Sequence, residues 1–504
     1  MSSPPTRTDV LVVGAGPTGL MLANWLRALG VDHVIVDRKD GPTRESRAIA
    51  VQARSMELYA QLGLIDPVRD AMTTARFIRP GWMRHQSPLP VPLGRIGAGL
   101  TPYPAIHLLE QSANERLLVE HLEAAGGSVA WRHELRALAA DATGVTARLA
   151  VEGEEREVRA AWVVGADGAS SFVRQAAGVS FDGETRPDIF WVADARGIEG
   201  VPAETINVRA GAEEFLIGFP LPGTRRQRLV GVIRGGEADE ATARRIARES
   251  FAITWGESGW FTTYRLHSRV ASRFRAGRIL LAGDAAHVHS PVGGQGMNTG
   301  LQDAHNLAFK LAAVIDGSAT EALLDRYEAE RRPVALHLVQ TTDAAFRAVT
   351  NQRPSMRRLR RVMLPLLSPA APIFLRLPVG RRVAGLVGQL RIHYWMSEEA
   401  RRRARGRRDR VVGRRLPWTG SNHDVLREAT WQVHAYAPDR PALDGLPALV
   451  ASAHRFDPRP DLGLRVDRWY LIRPDGFVAA AAPPAQAAAV FARTLREHGY
   501  PIPA

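Results

Sequence analysis

Apolar residues along the chain fall into three kinds of run. The first is short and unbroken. Val10-Leu11-Val12-Val13 after Asp9, His33-Val34-Ile35-Val36 before Asp37, Trp162-Val163-Val164 and Ile279-Leu280-Leu281-Ala282 each suit a buried strand. The second kind is periodic. From Ala304, apolar residues at Leu307, Ala308, Leu311, Ala312 and Ile315 have the spacing of a helix with one buried face. Leu20 to Leu29 reads as another helix, closed by Gly30. Gln111 opens a third, running to about Ala125.

The third kind fills Phe181 to Trp260. Phe190–Asp194, Thr205–Val208, Glu214–Pro220 and Arg228–Ile233 read as strands, and no long helix intervenes until roughly Asp239 to Phe251. This predicts an antiparallel sheet inserted into the sequence of parallel strands. In Phe215, Ile217 and Phe219 every second residue is large and apolar, so one face lines a core or a cavity. After Ile315 come arginine-rich helical segments, then the basic run Arg401 to Arg415, read as a solvated face or linker. A new pattern starts at Trp418. Trp431–Tyr436, then Trp469–Ala480 with a Pro474-Asp475-Gly476 turn, predict a small α/β tail domain ending in a helix from about Ala485 to His498.

Length and composition narrow this picture. A chain of 504 residues exceeds one ordinary core, so two or three domains are expected. The net charge of +14 comes mostly from arginine, without zinc-finger spacing, aromatic RNA-binding motifs or lysine tracts. Nucleic acid is therefore not expected as a partner. The chain contains no cysteine, which excludes disulfides, thiol catalysis and cysteine metal ligands, and no metal site is expected. Met1 to Asp9 lacks the apolar core of a signal peptide, and no apolar run is long enough for a membrane span. A cytoplasmic protein, monomer or homodimer, follows.

Three strand ends, near residues 14, 167 and 284, carry glycines with an acid in or near the turn. The first is Gly14-Ala15-Gly16-Pro17-Thr18-Gly19, with Asp37 at the end of the next strand, the dinucleotide-binding fingerprint in its expected context. Gly14 makes the tight turn, Gly16 admits a pyrophosphate and Gly19 lets helix and strand pack. The second is Gly165-Ala166-Asp167-Gly168, with Ser170 and Ser171 placed to cap a short helix. The third is Gly283-Asp284, leading into Pro291-Val292-Gly293-Gly294-Gln295-Gly296-Met297-Asn298 and a helix whose free N–H groups would suit the anionic edge of a reduced flavin. Singly, each could be an ordinary strand-to-helix turn. The loop Asp40 to Gln52 holds Arg44 and Arg47 with Arg54 just beyond, and for Arg44 and Arg54 a solvated loop is the simpler reading.

These three motifs together resemble the group A flavoprotein aromatic hydroxylases, of the p-hydroxybenzoate hydroxylase fold. Within them the chain looks closest to the larger bacterial members acting on polyketides, phenols and antibiotics. The resemblance implies an α/β Rossmann-like FAD-binding domain (1–180 and 276–400 with the following helices), an inserted antiparallel-sheet substrate domain (181–275), and a thioredoxin-like C-terminal domain (401–504), here without cysteines. It implies that FAD is held by Gly14, Gly16, Pro17, Thr18, Gly19, Asp37 with Arg38 beside it, Arg47, Gln111, the backbone of Leu135, Asp167, Asp284, Pro291, Gly294, Gly296, Met297 and Asn298. Asp37 stands where glutamate is more usual in the family. No general base can be named, though Arg47 and Pro291 would lie near the flavin. Trp191, Phe215, Ile217 and Phe219 are candidate walls of the substrate cavity.

The chemistry so implied is NADPH- or NADH-driven reduction of FAD, capture of molecular oxygen as a flavin C4a-hydroperoxide, and hydroxylation of a small aromatic substrate. Two alternatives share the same motifs: Baeyer–Villiger oxygen insertion, and a flavin-binding protein that sequesters a ligand without turning it over.

Overall fold

The computed structural model describes residues 5–44, 48–211, 214–222, 225–234, 237–290, 294–350, 378–397, 401–402 and 409–503. Its central sheet runs His133–Ala140, Val145–Val151, Glu154–Gly165, Arg7–Val13, His33–Asp37, Val129–Trp131, and Ile279–Leu281 adds to Glu154–Gly165. The four strands read from unbroken apolar runs are parallel neighbours, with Ile279–Leu281, Glu154–Gly165, Arg7–Val13 and His33–Asp37 side by side. Strands covered on both faces need apolar residues throughout, which is why these runs lack alternation. The Pro17–Ala28 and Gly296–Ile315 helices pack on one another, with the Trp25 ring against His305 and Phe309, and Leu20, Leu301, Leu307 and Leu311 are fully buried.

The second sheet runs His287–Val288, Ser258–Ala271, Phe181–Arg196, Arg226–Ile233, Phe215–Pro220, Ile206–Ala210, Phe77–Trp82, His85–Gln86. Most of it is the antiparallel insertion expected from the strand pattern. Its far side is built from Phe77–Trp82, which lies parallel to Ile206–Ala210 although more than a hundred residues precede that strand. The Glu240–Phe251 helix, capped by the Asp239 side chain accepting from Thr242 N at 2.8 Å, covers the outer face. Ala243, Ala247 and Phe251 of that helix share a core with Ala193, Leu216 and Leu229.

The tail forms a four-stranded sheet in the order Val450–Arg455, Trp431–Ala435, Trp469–Ile472, Val478–Ala482, with the Ala487–Glu497 helix against it. The first two strands are parallel and the other pairings antiparallel, a thioredoxin-like arrangement. Among the described residues no helix is long and apolar enough to cross a membrane.

Buried charge joins the tail to the rest. Arg415 gives Nε and Nη2 to the two oxygens of Glu57, both at 2.8 Å. Glu57 lies on the Ala53–Gln61 helix and also accepts from Arg54 at 3.1 Å and Thr101 Oγ1 at 2.7 Å. Arg473 makes paired hydrogen bonds to Glu330, at 2.6 and 2.8 Å, and to Asp475, at 2.9 and 2.6 Å. Arg54 and Arg415 therefore correct the solvated readings given to their segments. Both are buried where the tail meets the rest: Arg54 donates to the Asp475 carbonyl and lies over the Phe477 ring, and Arg415 donates to Glu57 and the Leu100 carbonyl.

Burial pulls the Glu57 carboxyl upward, but the charges around it, Arg415 foremost, outweigh this and hold it at about 2 against an ordinary 4.5. A depressed carboxyl adds stability that is full above its unfolded value and is lost as pH falls through its folded value. Glu57→Gln leaves two buried guanidinium groups short of charge, at a cost of about 3–5 kcal/mol. Its denaturation midpoint is expected well below that of the wild type above pH 4.5, with the gap narrowing as the pH is lowered toward 2. A gap that does not change with pH would remove Glu57 ionisation as the cause.

Candidate functional site

The three glycine-and-acid turns lie side by side at the carboxyl ends of adjacent parallel strands, where an open α/β sheet places its ligands. They are packed against one another. Gly14 has φ +104°, a region other residues rarely adopt, and a side chain there would run into the Ala166 carbonyl of the second motif. A side chain on Gly19 would run into the Gly14 carbonyl. Gly16 is different: a methyl built on it meets nothing within 4 Å, so the turn is tight at its ends and open in its middle. Gly16, Pro17 and Thr18 are the part-exposed residues of the loop, with Ala15 and Gly19 buried on either side. Thr18 in turn fills the space left by Gly283 and Gly300, joining the first motif to the third.

The acids divide into two kinds. Asp37 is set by backbone: its Oδ2 accepts from Ala15 N at 2.7 Å and its Oδ1 from Lys39 N at 2.9 Å. Lys39 Nζ lies 3.9 Å from Oδ2 as well. Asp284 is exposed while Ala282, Gly283, Ala285 and Ala286 around it are buried, so the turn presents it outward. Asp167 instead serves its own segment. Its oxygens accept from Ser171 Oγ at 2.5 Å and Val173 N at 3.1 Å, at the start of the Phe172–Ala176 helix, where Ser171 also caps Arg174 N at 2.9 Å.

Beneath the third turn lies a buried cluster that sequence reading did not single out. Asp303, fully buried, accepts from Gly283 N at 3.1 Å, His287 Nε2 at 2.7 Å and Arg331 Nε at 2.6 Å. Burial raises its carboxyl, and the charge of Arg331 outweighs that and lowers it. Arg331 continues to the Tyr394 hydroxyl at 2.9 Å and the Thr299 carbonyl at 3.1 Å. The cluster thus fixes the Gly283-Asp284 turn against the 296–315 helix. The His287 of the motif was visible in sequence; its acid, sixteen residues on inside a helix, had no separate signal.

The 296–315 helix begins at Gly296, and its first internal hydrogen bond is Thr299 N to Gln295 O at 2.9 Å. The N–H groups of Gly296, Met297 and Asn298 precede that bond, and Gly294 to Met297 are partly exposed. The Asn298 side chain holds this end in place. It accepts from Gln52 N and donates to Ala50 O and Gly294 O, all at 2.8 Å. Gln111 starts its own helix and reaches Glu115 Oε1 at 3.0 Å and Ala48 N at 3.4 Å, while Glu115 Oε2 accepts from Thr43 N at 2.7 Å. Arg38 is exposed beside Asp37, and Leu135 is buried where the register slips in the His133–Ala140 strand. Arg47 and Pro291 lie outside the described residues.

On the second sheet, Phe215, Ile217 and Phe219 share the inner face, as their alternation requires. Ile217 and Phe219 are partly exposed and pack beside Ile49 and Ala50, next to the start of the third motif's helix. Trp191 does not join them and is corrected as a cavity wall. It sits opposite Gly231, itself opposite Leu216, so strand alternation turns it to the outer face, where it stacks on Trp255 and Phe261. Its neighbour Phe190 takes the inner position, 5.7 Å from Phe215 and 5.8 Å from Tyr264 between ring centres. The inner face ends in charge: Arg228 binds Asp194 through Nε and Nη2, both at 2.7 Å, and approaches Glu110 at 3.5 Å.

This geometry fits FAD. The first turn is open in its middle, Asp37 stands at the end of the next strand, Asp284 is exposed in the third turn, and a helix begins close by, the features such a cofactor requires. Comparison with known proteins agrees. The profile of a family described as FAD binding domain matches residues 7–342. The 6-methylpretetramide 4-monooxygenase of Streptomyces rimosus is 34% identical over 94% of this chain and 90% of its own length. The solved anhydrotetracycline hydroxylase of Streptomyces rimosus superposes with a TM-score of 0.77 at 30% identity, covering 99% of this chain and 100% of that one. An aromatic hydroxylase from angucycline biosynthesis superposes with a TM-score of 0.77 at 30% identity, over 98% and 100%. The chain belongs to the flavoprotein aromatic hydroxylases, monooxygenases built on this FAD-binding domain.

The contact of Thr18 with Gly300 offers a test of how tightly the motifs are coupled. Gly300→Ala gains up to about 1 kcal/mol of helix propensity yet drives its methyl into the Thr18 hydroxyl. The single variant is expected to purify with reduced FAD content, and Thr18→Ala added to it is expected to restore FAD. Full FAD content in Gly300→Ala alone would show that the two motifs are not in register.

Proposed function

We propose that the protein uses NADPH or NADH to hydroxylate a small aromatic, polyketide-like molecule, with FAD lying along the three strand ends. The observation that carries this reading is that an open glycine turn, the buried Asp37 beside it, the exposed Asp284 and a helix start gather at neighbouring strand ends. Relatives named for steps on tetracycline-type compounds support the substrate class. Bound FAD supplies the redox chemistry: it carries two electrons from the nicotinamide and activates oxygen for transfer to the ring.

The chain's own residues bind and orient. Gly16 to Thr18 leave room for the pyrophosphate, Asp37 accepts from the ribose and Asp284 from ribityl hydroxyls. The N–H groups of Gly296, Met297 and Asn298 face the pyrimidine edge, where partial positive charge favours the reduced, anionic ring by roughly 0.3–2 kcal/mol. Asp303, His287 and Arg331 hold that helix and the Asp284 turn in fixed relation. The inner face of the second sheet, with Phe190, Phe215, Ile217 and Phe219, excludes water and orients a flat apolar substrate.

Asp284→Ala removes an acceptor from buried hydroxyl donors, a loss of about 1–3 kcal/mol. It is expected to weaken FAD binding by about tenfold or more, read by titration of the apoprotein; unchanged affinity would take Asp284 out of the site. Wild-type protein with NADPH or NADH, oxygen and candidate aromatics is expected to show substrate-stimulated nicotinamide oxidation and a hydroxylated product. A lactone or ester product would indicate oxygen insertion, and ligand binding without nicotinamide oxidation would indicate sequestration.

The two faces of the second sheet are separable by mutation. Phe219→Ala and Ile217→Ala are expected to weaken substrate binding several-fold at normal FAD content. Trp191→Ala removes an outer-face core residue and is expected to cost about 3–5 kcal/mol of stability. If Trp191→Ala instead weakened substrate binding at an unchanged denaturation midpoint, the assignment of faces would be wrong.

A further inference from the structure

The match to the FAD-binding domain stops at residue 342, yet the start of the 296–315 helix is gripped by a residue well beyond it. Gln389 follows the Pro378–Val387 helix and is buried, with φ +56°, a backbone conformation that non-glycine residues seldom hold. Its Nε2 donates to Thr299 Oγ1 at 2.9 Å and lies 3.4 Å from Gln295 O. Its Oε1 accepts from Gln302 Nε2. Gln295 O is the acceptor of the helix's first hydrogen bond, and Thr299 Oγ1 donates to it at 2.9 Å as well. Gln389 therefore touches the first two turns at three points.

The preceding residue does the same for a second helix. Gly388 O accepts from Arg54 N at 3.1 Å, one of the N–H groups in the first turn of the 53–61 helix. The residue capping that helix, Gln52, gives its N–H to Asn298. Two helix starts thus meet at the site, bridged from one side by Asn298 and from the other by Gly388 and Gln389. A methyl on Gly388 would stand 3.3 Å from the Ala53 side chain, so the loop packs closely on the start of the 53–61 helix.

We infer that Gln389 is a positioning residue for the bound flavin: it fixes the first turn of the 296–315 helix so that its leading N–H groups meet the ring edge. This rests on the reading that FAD lies at that helix start. A turn free to shift would hold the oxidised ring nearly as well, since neutral contacts tolerate small displacements. It would lose more toward the reduced anion, whose attraction depends on the N–H groups pointing at it.

Gln389→Gly isolates the side chain, because glycine holds a left-handed conformation without strain. The purified variant is expected to fold with a modestly lowered denaturation midpoint, since buried hydrogen bonds to Thr299 and Gln302 are lost. It is expected to bind reduced flavin about tenfold more weakly relative to oxidised flavin, a fall of about 30 mV in the two-electron midpoint potential. Thr299→Val, which removes the hydroxyl that Gln389 grips, is expected to lower the potential in the same direction and gives the readout if Gln389→Gly does not fold. An unchanged potential in whichever of these variants folds overturns the inference. Wild-type protein that takes up no FAD overturns the flavin reading itself, and is seen before any variant is compared.

Discussion

The site depends on close approach between backbones rather than between side chains. A single carbon atom on Gly14 would collide with the Ala166 carbonyl, and one on Gly19 with the carbonyl of Gly14 itself. Adjacent parallel strands end at the same height, so their turns compete for one small volume, and only glycine resolves the competition. Everything at the site inherits this spacing. Thr18 can reach Gly283 and Gly300 because the first turn is held down, and the third turn can be stapled by Asp303 because it too is pressed onto a neighbour. The middle of the first turn is left open as a result, bounded on both sides by contacts that cannot relax.

How much of this was legible in the sequence follows from the range of the forces involved. Buried parallel strands announce themselves locally, since both faces must be apolar, and the helices at 17–28 and 296–315 carry their periodicity within themselves. The glycine-and-acid turns were readable because each is a short-range demand on backbone shape. What was missed depends on pairings across long stretches of chain. Phe77–Trp82 has no mark that assigns it to the sheet of Ile206–Ala210, and Asp303 is an acid within a helix until His287 and Arg331 are brought beside it.

Trp191 shows a third kind of limit. Large apolar residues in a strand were visible, but which of two consecutive ones faces the cavity depends on the register of that strand with its neighbours. Pairing Trp191 with Gly231 rather than with Val230 turns it outward. Arg54 and Arg415 show a fourth: a run of basic residues looks solvated from sequence alone, and only the docking of a distant domain shows that some members are enclosed with acids.

The bidentate pairs of Arg415 with Glu57 and of Arg473 with Glu330 also bear on the order of folding. A chain leaves the ribosome from its first residue, and domains tend to fold as they emerge. Here Glu57 on the 53–61 helix has Arg54 beside it and Glu330 has Lys310 and Arg326, and each carboxylate gains its bidentate partner only from the tail. Until the final hundred or so residues exist, those carboxylates have no guanidinium partner from the tail, and the early strands can assemble only around an unfinished interior. The interior of the flavin domain is thus completed by charges that the last part of the chain brings to it.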